Sequence, residues 1–321
     1  MKNKLIICCF LVVSLLVSAC NQGRRTNVES NENESSKSLI ITNSDALEML
    51  IGLGATENII GINDVAKSTF SVKDLSPSVG SWKSPNIEAI VNLNPDVVVS
   101  YINYPDPVGF EEKLEPFNIS IERINCYYMS EFHSDISRLA SLVGKEDMAD
   151  TIIHDFDRIV DMIKNAVADI DVQKKVYIEF GDFTSMGAES GNNELIELAN
   201  AINIAAKLNI QYPKISTEWL LEEDPDVILK IIPSEAVTSE ICQKLVSRAG
   251  WDKLSAVKNK QVYLISNDLC SGPRAMIGCF YIASWCYPEK FTSIGPDSMH
   301  TYWMEKYYGL SPENSLFTLK M

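Results

Sequence analysis

Residues 85–99 read PNIEAIVNLNPDVVV, and residues 214–229 read KISTEWLLEEDPDVIL. Both follow one plan. A Glu (Glu88, Glu218) precedes a Pro-Asp pair by seven residues, and Pro95-Asp96 and Pro225-Asp226 each open an apolar run. Runs apolar on both faces suit strands of a buried parallel sheet. Ser84-Pro85 predicts a helix start, with Ser as cap and Pro at the first helical position, running to about Leu93. Glu218 to Glu222 predicts its short counterpart. Each Glu then sits in a first turn, where the helix dipole favours negative charge. One such Glu is an ordinary surface residue. Two at matched positions form a carboxylate pair of approximate two-fold symmetry. A dimeric membrane partner with an Arg on each subunit could grip such a pair through charge-assisted hydrogen bonds.

Around the first copy, strand and helix alternate. Ser38–Thr42 and Asn58–Ile62 predict strands, and Ser44 predicts the cap of a helix to Leu53 that Gly54 closes. Glu111–Leu114 and Ile119–Ile124 predict a helix and a strand. Around the second copy the alternation resumes. Strands are expected over Val176–Phe180, Val227–Ile232 and Gln261–Ile265. Helices are expected over Asn192–Ala206, Pro273–Cys286 and 298–308. Between the copies, Ile136, Leu139, Leu142 and Val143, then Ile152, Phe156, Ile159, Ile163 and Val167, recur at helical spacing. The later run has no Gly or Pro between 146 and 168. The expected fold class is α/β: two Rossmann-like lobes, 38–130 and 170–321, joined through 131–169 by a single long interdomain helix.

The N-terminus reads as an export segment. Lys2 and Lys4 precede an apolar run, Leu5–Val17, too short to span a bilayer comfortably. The run ends Val17-Ser18-Ala19-Cys20, small residues followed by a Cys, the pattern at which exported bacterial proteins are acylated. The competing reading is a plain secretory signal with a chance Cys. With lipidation at Cys20, residues 1–19 leave, and acyl chains hold the protein at a membrane face. Residues 20–37 then form a polar tether in which Val28 alone is apolar.

The net charge is −15, and losing Lys2 and Lys4 takes the exported form near −17. Such a surface disfavours nucleic acid. Of eight Cys, five lie in the folded body (126, 242, 270, 279, 286), with no CxxC pair, so buried thiols are expected. Enzyme signatures are missing. Gly144-Lys145 is followed by Glu146, so there is no P-loop, and neither GxGxxG nor GxSxG occurs. Three His (133, 154, 300) are scattered, which disfavours a bare divalent metal site.

Ligands of open α/β sheets sit beyond the carboxyl ends of the strands. The loops there are Asn43-Ser44, Ser81–Lys83, Tyr101–Tyr104, Tyr127-Tyr128, Asp182–Gly187 and Asn267–Arg274. They supply the candidate ligand-binding residues Trp82, Lys83, Tyr101, Tyr104 and Arg274. Aromatics give flat apolar area with a polar handle, and Arg forks onto carboxylates or oxyanions. Packing under loops competes for the aromatics, solvent for Lys83 and a salt bridge for Arg274.

Residues 79–88 (VGSWKSPNIE) through Pro95–Val99 resemble substrate-binding proteins of the iron-siderophore, heme and vitamin-B12 ABC importers. So do Ser216-Thr217-Glu218 with Pro225-Asp226, and Ala249-Gly250-Trp251 through Ala256–Asn259 to Val262-Tyr263. The resemblance implies two lobes on one stiff helix and little movement on binding. It also implies that Glu88 and Glu218 dock on arginines of an ABC permease dimer, which works with ATPase subunits. The expected function is extracytoplasmic capture of an iron chelate, heme or corrinoid in the interlobe cleft. The protein would be lipid-anchored on the periplasmic side or the cell surface. No cofactor is expected; iron or cobalt would enter only within the ligand. An oxyanion such as molybdate, held by Arg274 and loop amides, is the alternative, and a surface lipoprotein enzyme a further one.

Overall fold

Short β-branched runs and well-capped helices build two parallel sheets in succession. A computed structural model of the chain describes residues 36–65, 76–310 and 317–321. The export segment, Cys20 and most of the tether lie outside the described residues. The first sheet contains β1 (Leu39–Ile41), β2 (Ile59–Ile62), β5 (Val97–Tyr101) and β6 (Ser120–Ile124), in the all-parallel order β2-β1-β5-β6. A small antiparallel hairpin, β3 (Gly80–Ser81) and β4 (Ser84–Pro85), stands beside it. Its helices are α1 (Ser44–Gly52), α2 (Ile87–Leu93) and α3 (Pro107–Leu114).

Two helices lead away from β6: α4 (Phe132–Val143) and the 22-residue α5 (Glu146–Val167), with Gly144 left-handed between them (φ 65°). The second sheet follows. Its strands are β7 (Lys175–Gly181), β8 (Thr184–Ser185), β9 (Ile202–Asn203), β10 (Val227–Ile232), β11 (Val262–Ser266) and β12 (Thr318–Lys320). The order is β12-β11-β10-β7-β8, with β9 also on β7; β8 and β12 are antiparallel. The helices are α6 (Gly191–Leu198), α7 (Thr217–Glu223), α8 (Ser239–Val246), α9 (Ser255–Lys258), α10 (Ala275–Cys286) and α11 (Pro296–Tyr308).

The repeat is structural as well as sequential. Asn86 caps α2 through Ala89 N, and Ser216 caps α7 through Trp219 N. Asn94 (φ 47°) and Asp224 (φ 43°) end these helices in the left-handed conformation, which Asn and Asp tolerate. Asp96 then accepts hydrogen bonds from Ser38 N and Oγ ahead of β1 (2.7 Å each). Asp226 likewise accepts from Lys175 N at the start of β7 (2.8 Å).

Each sheet divides its side chains by strand alternation. Leu39, Ile41, Val97 and Val99 of the first sheet share one core with Val176, Ile178, Val227 and Leu229 of the second. Ile152, Phe156, Ile159, Ile163 and Val167 of α5 fill that same core. Alternate residues serve separate outer cores, Ile40 and Val98 in one, Tyr177 and Ile228 in the other.

Several local expectations are corrected. Ser84-Pro85 is a strand, not a helix start; Gly80 (φ 88°) lets the chain turn back, and Asn86 provides the capping acceptor. Asn43, not Ser44, caps α1, accepting from Asp45 N and Ala46 N. The helix expected to Ala206 stops at Leu198, because Asn200 turns left-handed (φ 53°) and Ile202–Asn203 joins β7. Helix α8 and edge strand β12 were not anticipated.

The last helix is tied to α5 by a buried carboxylate. Asp155 accepts from Tyr302 (2.7 Å), Lys306 (2.6 Å) and Tyr307 (2.8 Å). Burial opposes its charge, but Lys306 and the two phenols prevail and hold the carboxyl down at about 2. A carboxyl whose folded pKa is depressed stabilises above its unfolded value near 4 and loses that contribution as pH falls toward 2. Asp155→Asn should therefore lower the melting temperature by about 5 °C at pH 7. Scanning calorimetry across pH should show the difference from wild type shrinking between pH 4 and 2.

Candidate ligand-binding cleft

The first turn of α1 faces the second lobe. Asn43 fixes that turn, and Asp45 and Glu48, three residues apart, share one side of it. Opposite them lies the loop after β11. There Gly272 is left-handed (φ 64°), and its N–H donates across the lobes to Cys126 O (2.8 Å). A Cβ on Gly272 would lie 2.8 Å from Asp45 Oδ1, so the approach needs glycine. Ser271 Oγ donates to Asp45 Oδ1 (3.2 Å).

Beside this seam is a cavity of about 270 Å³. Ser44, Asp45, Glu48, Val65, Trp82 and Tyr101 line it from the first lobe, and Asn267, Asp268 and Ser271 from the second. The Tyr101 hydroxyl donates to Asp45 Oδ2 (3.4 Å) and accepts from Ser44 N (3.2 Å). Trp82 and Lys83 form the tight turn of the β3–β4 hairpin. Trp82 meets Tyr101 and Tyr104 edge-on, centroids 5.4 Å apart in each case. Lys83 Nζ sits 4.8 Å from the Trp82 ring centroid. Four of the expected residues, Trp82, Lys83, Tyr101 and Tyr104, thus assemble in one cluster. Trp82 and Tyr101 face the cavity, while Lys83 and Tyr104 stand exposed at its rim.

Arg274 is placed differently from expectation. It is 2% exposed and absent from the cavity wall. Its Nε and Nη2 donate to Glu48 Oε1 (2.6 Å) and Oε2 (3.0 Å), and Asp268 is 3.8 Å away. Two of its three guanidinium nitrogens are thus engaged by a carboxylate from the other lobe. Burial works against the guanidinium charge, yet Glu48 and then Asp268 raise its pKa further. Among the described residues, no ion pair to Asp45 forms. Burial, and then the Glu48 charge, push its carboxyl up to about 7. Behind Arg274, burial and the guanidinium hold His300 down at about 3, a neutral ring against Phe317.

Sequence reasoning missed Asp45, Glu48 and Asp268. The i, i+3 acids of α1 were visible, but Asp45 reads as an ordinary first-turn acid and nothing local marks Glu48. Tyr127 and Tyr128 knit the lobes together: the Tyr127 and Tyr212 hydroxyls are 3.1 Å apart, and Tyr128 donates to Glu189 O (2.9 Å). Both docking candidates, Glu88 and Glu218, are exposed in the first turns of α2 and α7.

Two lobes of matching design with a cavity between them have a counterpart among known families. A family model described as periplasmic binding protein matches residues 39–269. The chain belongs to the periplasmic binding protein family. It is 27% identical over 255 residues to the uncharacterized ABC transporter substrate-binding lipoprotein YvrC of Bacillus subtilis, covering 76% of this chain and 78% of that one. It is 23% identical to the molybdate-binding protein MolA of Haemophilus influenzae, covering 86% and 88%. Among solved structures, the TroA-like periplasmic binding protein FepB of Veillonella parvula superposes with a TM-score of 0.76 at 21% identity, covering 90% and 96%.

The Glu48–Arg274 pair stabilises only as a pair, since a lone buried charge costs several kcal/mol. Arg274→Met should destabilise this binding protein by about 3–5 kcal/mol in urea unfolding. Adding Glu48→Leu should restore most of that loss.

Proposed function

We infer that this chain is the extracytoplasmic solute-binding component of an ABC importer. On this reading residues 1–19 are removed, acyl chains on Cys20 anchor the protein, and 20–37 tether it. Lobes 38–130 and 170–321, linked through 131–169, hold a ligand between them. The ligand contacts Trp82, Tyr101, Tyr104 and Lys83, and Glu88 and Glu218 dock on the permease dimer. The observation that carries the reading is the repeat itself. Two exposed acids occupy equivalent first turns of equivalent helices in lobes that enclose a cavity. Family membership and the similarity to an ABC transporter substrate-binding lipoprotein support it.

The cleft favours a binding role over an enzymatic one. Ser44 and Ser271 line the cavity, but among the described residues no imidazole does. For the ligand, an iron chelate, heme or corrinoid remains the reading. A cavity of about 270 Å³ lies just below the range of ligand pockets, about 300–1,000 Å³. A macrocycle would therefore extend over Tyr104 and Lys83 at the rim, and a compact chelate fits best. Similarity to MolA favours an oxyanion. Against it, the cavity wall is acidic and Arg274 is already bound to Glu48.

Native mass spectrometry of protein isolated from its source should show a bound iron or cobalt species; a bare oxyanion would support the second reading. Glu88→Arg with Glu218→Arg should cut cellular uptake of that species more than tenfold and leave occupancy unchanged. Equal loss of occupancy would make these acids part of the cleft. Cys20→Ala should move the protein from the membrane to the soluble fraction on fractionation.

A further inference from the structure

The cavity wall carries three carboxylates, Asp45, Glu48 and Asp268, and no cationic side chain among the described residues. Beside the wall, Arg274 gives two donors to Glu48 and stands 3.8 Å from Asp268. One guanidinium against three carboxylates leaves an excess of negative charge. Lys83 lies outside the wall with its ammonium over the Trp82 ring. The rest of the lining suits the same partner. Trp82 and Tyr101 present aromatic surface, which attracts cations, next to the oxygens of Asp45. Among the described residues, no three His, Cys, Asp or Glu side chains are placed to hold a metal ion. The complementary charge must then arrive with its own coordination shell or as an organic cation.

We propose that the cleft selects a compact ligand bearing net positive charge, a cationic metal complex or a quaternary ammonium, held between Asp45 and Asp268 against Trp82 and Tyr101. This rests on the solute-binding reading and specifies the charge of its ligand, in contrast to the anion in the name of the relative MolA. An anion would meet three carboxyl side chains, and among the described residues no cationic side chain lines the wall to offset them. A cation supplies the counter-charge that Asp45 lacks. The groups facing Asp45 are Glu48 and Asp268, which disfavour its ionisation, and the Ser271 and Tyr101 hydroxyls, which favour it. A bound cation favours ionisation too, so binding should strengthen as pH rises through about 7.

The test is calorimetric titration of the tethered body, residues 21–321, with hexaamminecobalt(III), choline and molybdate. Hexaamminecobalt(III) or choline should bind one to one. Asp45→Asn and Asp268→Asn should each weaken binding at least tenfold, and wild-type affinity should be greater at pH 8 than at pH 6. Circular dichroism of each variant checks that the loss is not unfolding. Molybdate binding that survives or improves in the Asn variants would overturn the proposal. So would failure of both cations to bind, or cation binding indifferent to both substitutions. None of these outcomes touches the import reading, which cellular uptake with reversed Glu88 and Glu218 tests independently of ligand charge.

Discussion

Two sheets that each commit alternate side chains to a common core are bound by the area they would expose on separating. Leu39, Val97, Val176 and Val227 belong to one cluster with the apolar stripe of α5 and the whole inner face of α10. At about 25 cal/mol per Å² of apolar surface, even a few such residues uncovered cost several kcal/mol. A lobe cannot swing as a free body under that constraint. A nearly fixed cleft geometry is the expectation that follows from this shared core. The long helix is thus less a hinge than a beam, and Asp155 fastens α11 along it.

A fixed geometry can carry buried charge, and the seam beside the cavity does so. Arg274 and Glu48 come from opposite lobes and have lost nearly all contact with water. Such a pair adds little net stability over an apolar pair of the same shape, but separating its members is expensive. It therefore sets registry: α1 and the loop after β11 meet in one arrangement. Gly272 permits the approach by having no side chain, and Asp45 is carried into the seam by the same turn of α1. An unbalanced carboxyl beside an open cavity follows from that registry.

The fold was largely legible because its signals are local and doubled. Helical spacing over 146–167 and the apolar triplet Val97–Val99 each fix an element, and the Glu–Pro-Asp repeat tied the halves together. Boundaries erred where two residues compete for one role. Ser84 and Asn86 are both good caps, and Gly80 decided for Asn86 by opening a hairpin. In the cleft, the aromatic cluster was readable because strand ends carry ligands and Trp82, Lys83, Tyr101 and Tyr104 crowd two neighbouring loops. The acids were not, because their meaning depends on pairing across 226 positions. Arg274 attracted attention as a cation at a helix start, an electrostatically poor place. The structure explains the placement by Glu48, which no local pattern predicts.

The repeat also separates the two tasks a binding protein must perform. The first turns of α2 and α7 point Glu88 and Glu218 to solvent, away from the lining of the cavity. The matching caps and left-handed ends of those helices, with Asp96 and Asp226 fastening the strands that follow, hold the two acids on equivalent frames. The carboxylates of the cleft lie instead on α1 and the loop after β11, elements that differ between the lobes. Symmetry is kept where a symmetric partner would read it. On the proposed reading it is abandoned where a small ligand without symmetry would be held. On that reading, substitutions at Asp45, Asp268 or Trp82 would change the cargo without disturbing the frame that carries Glu88 and Glu218.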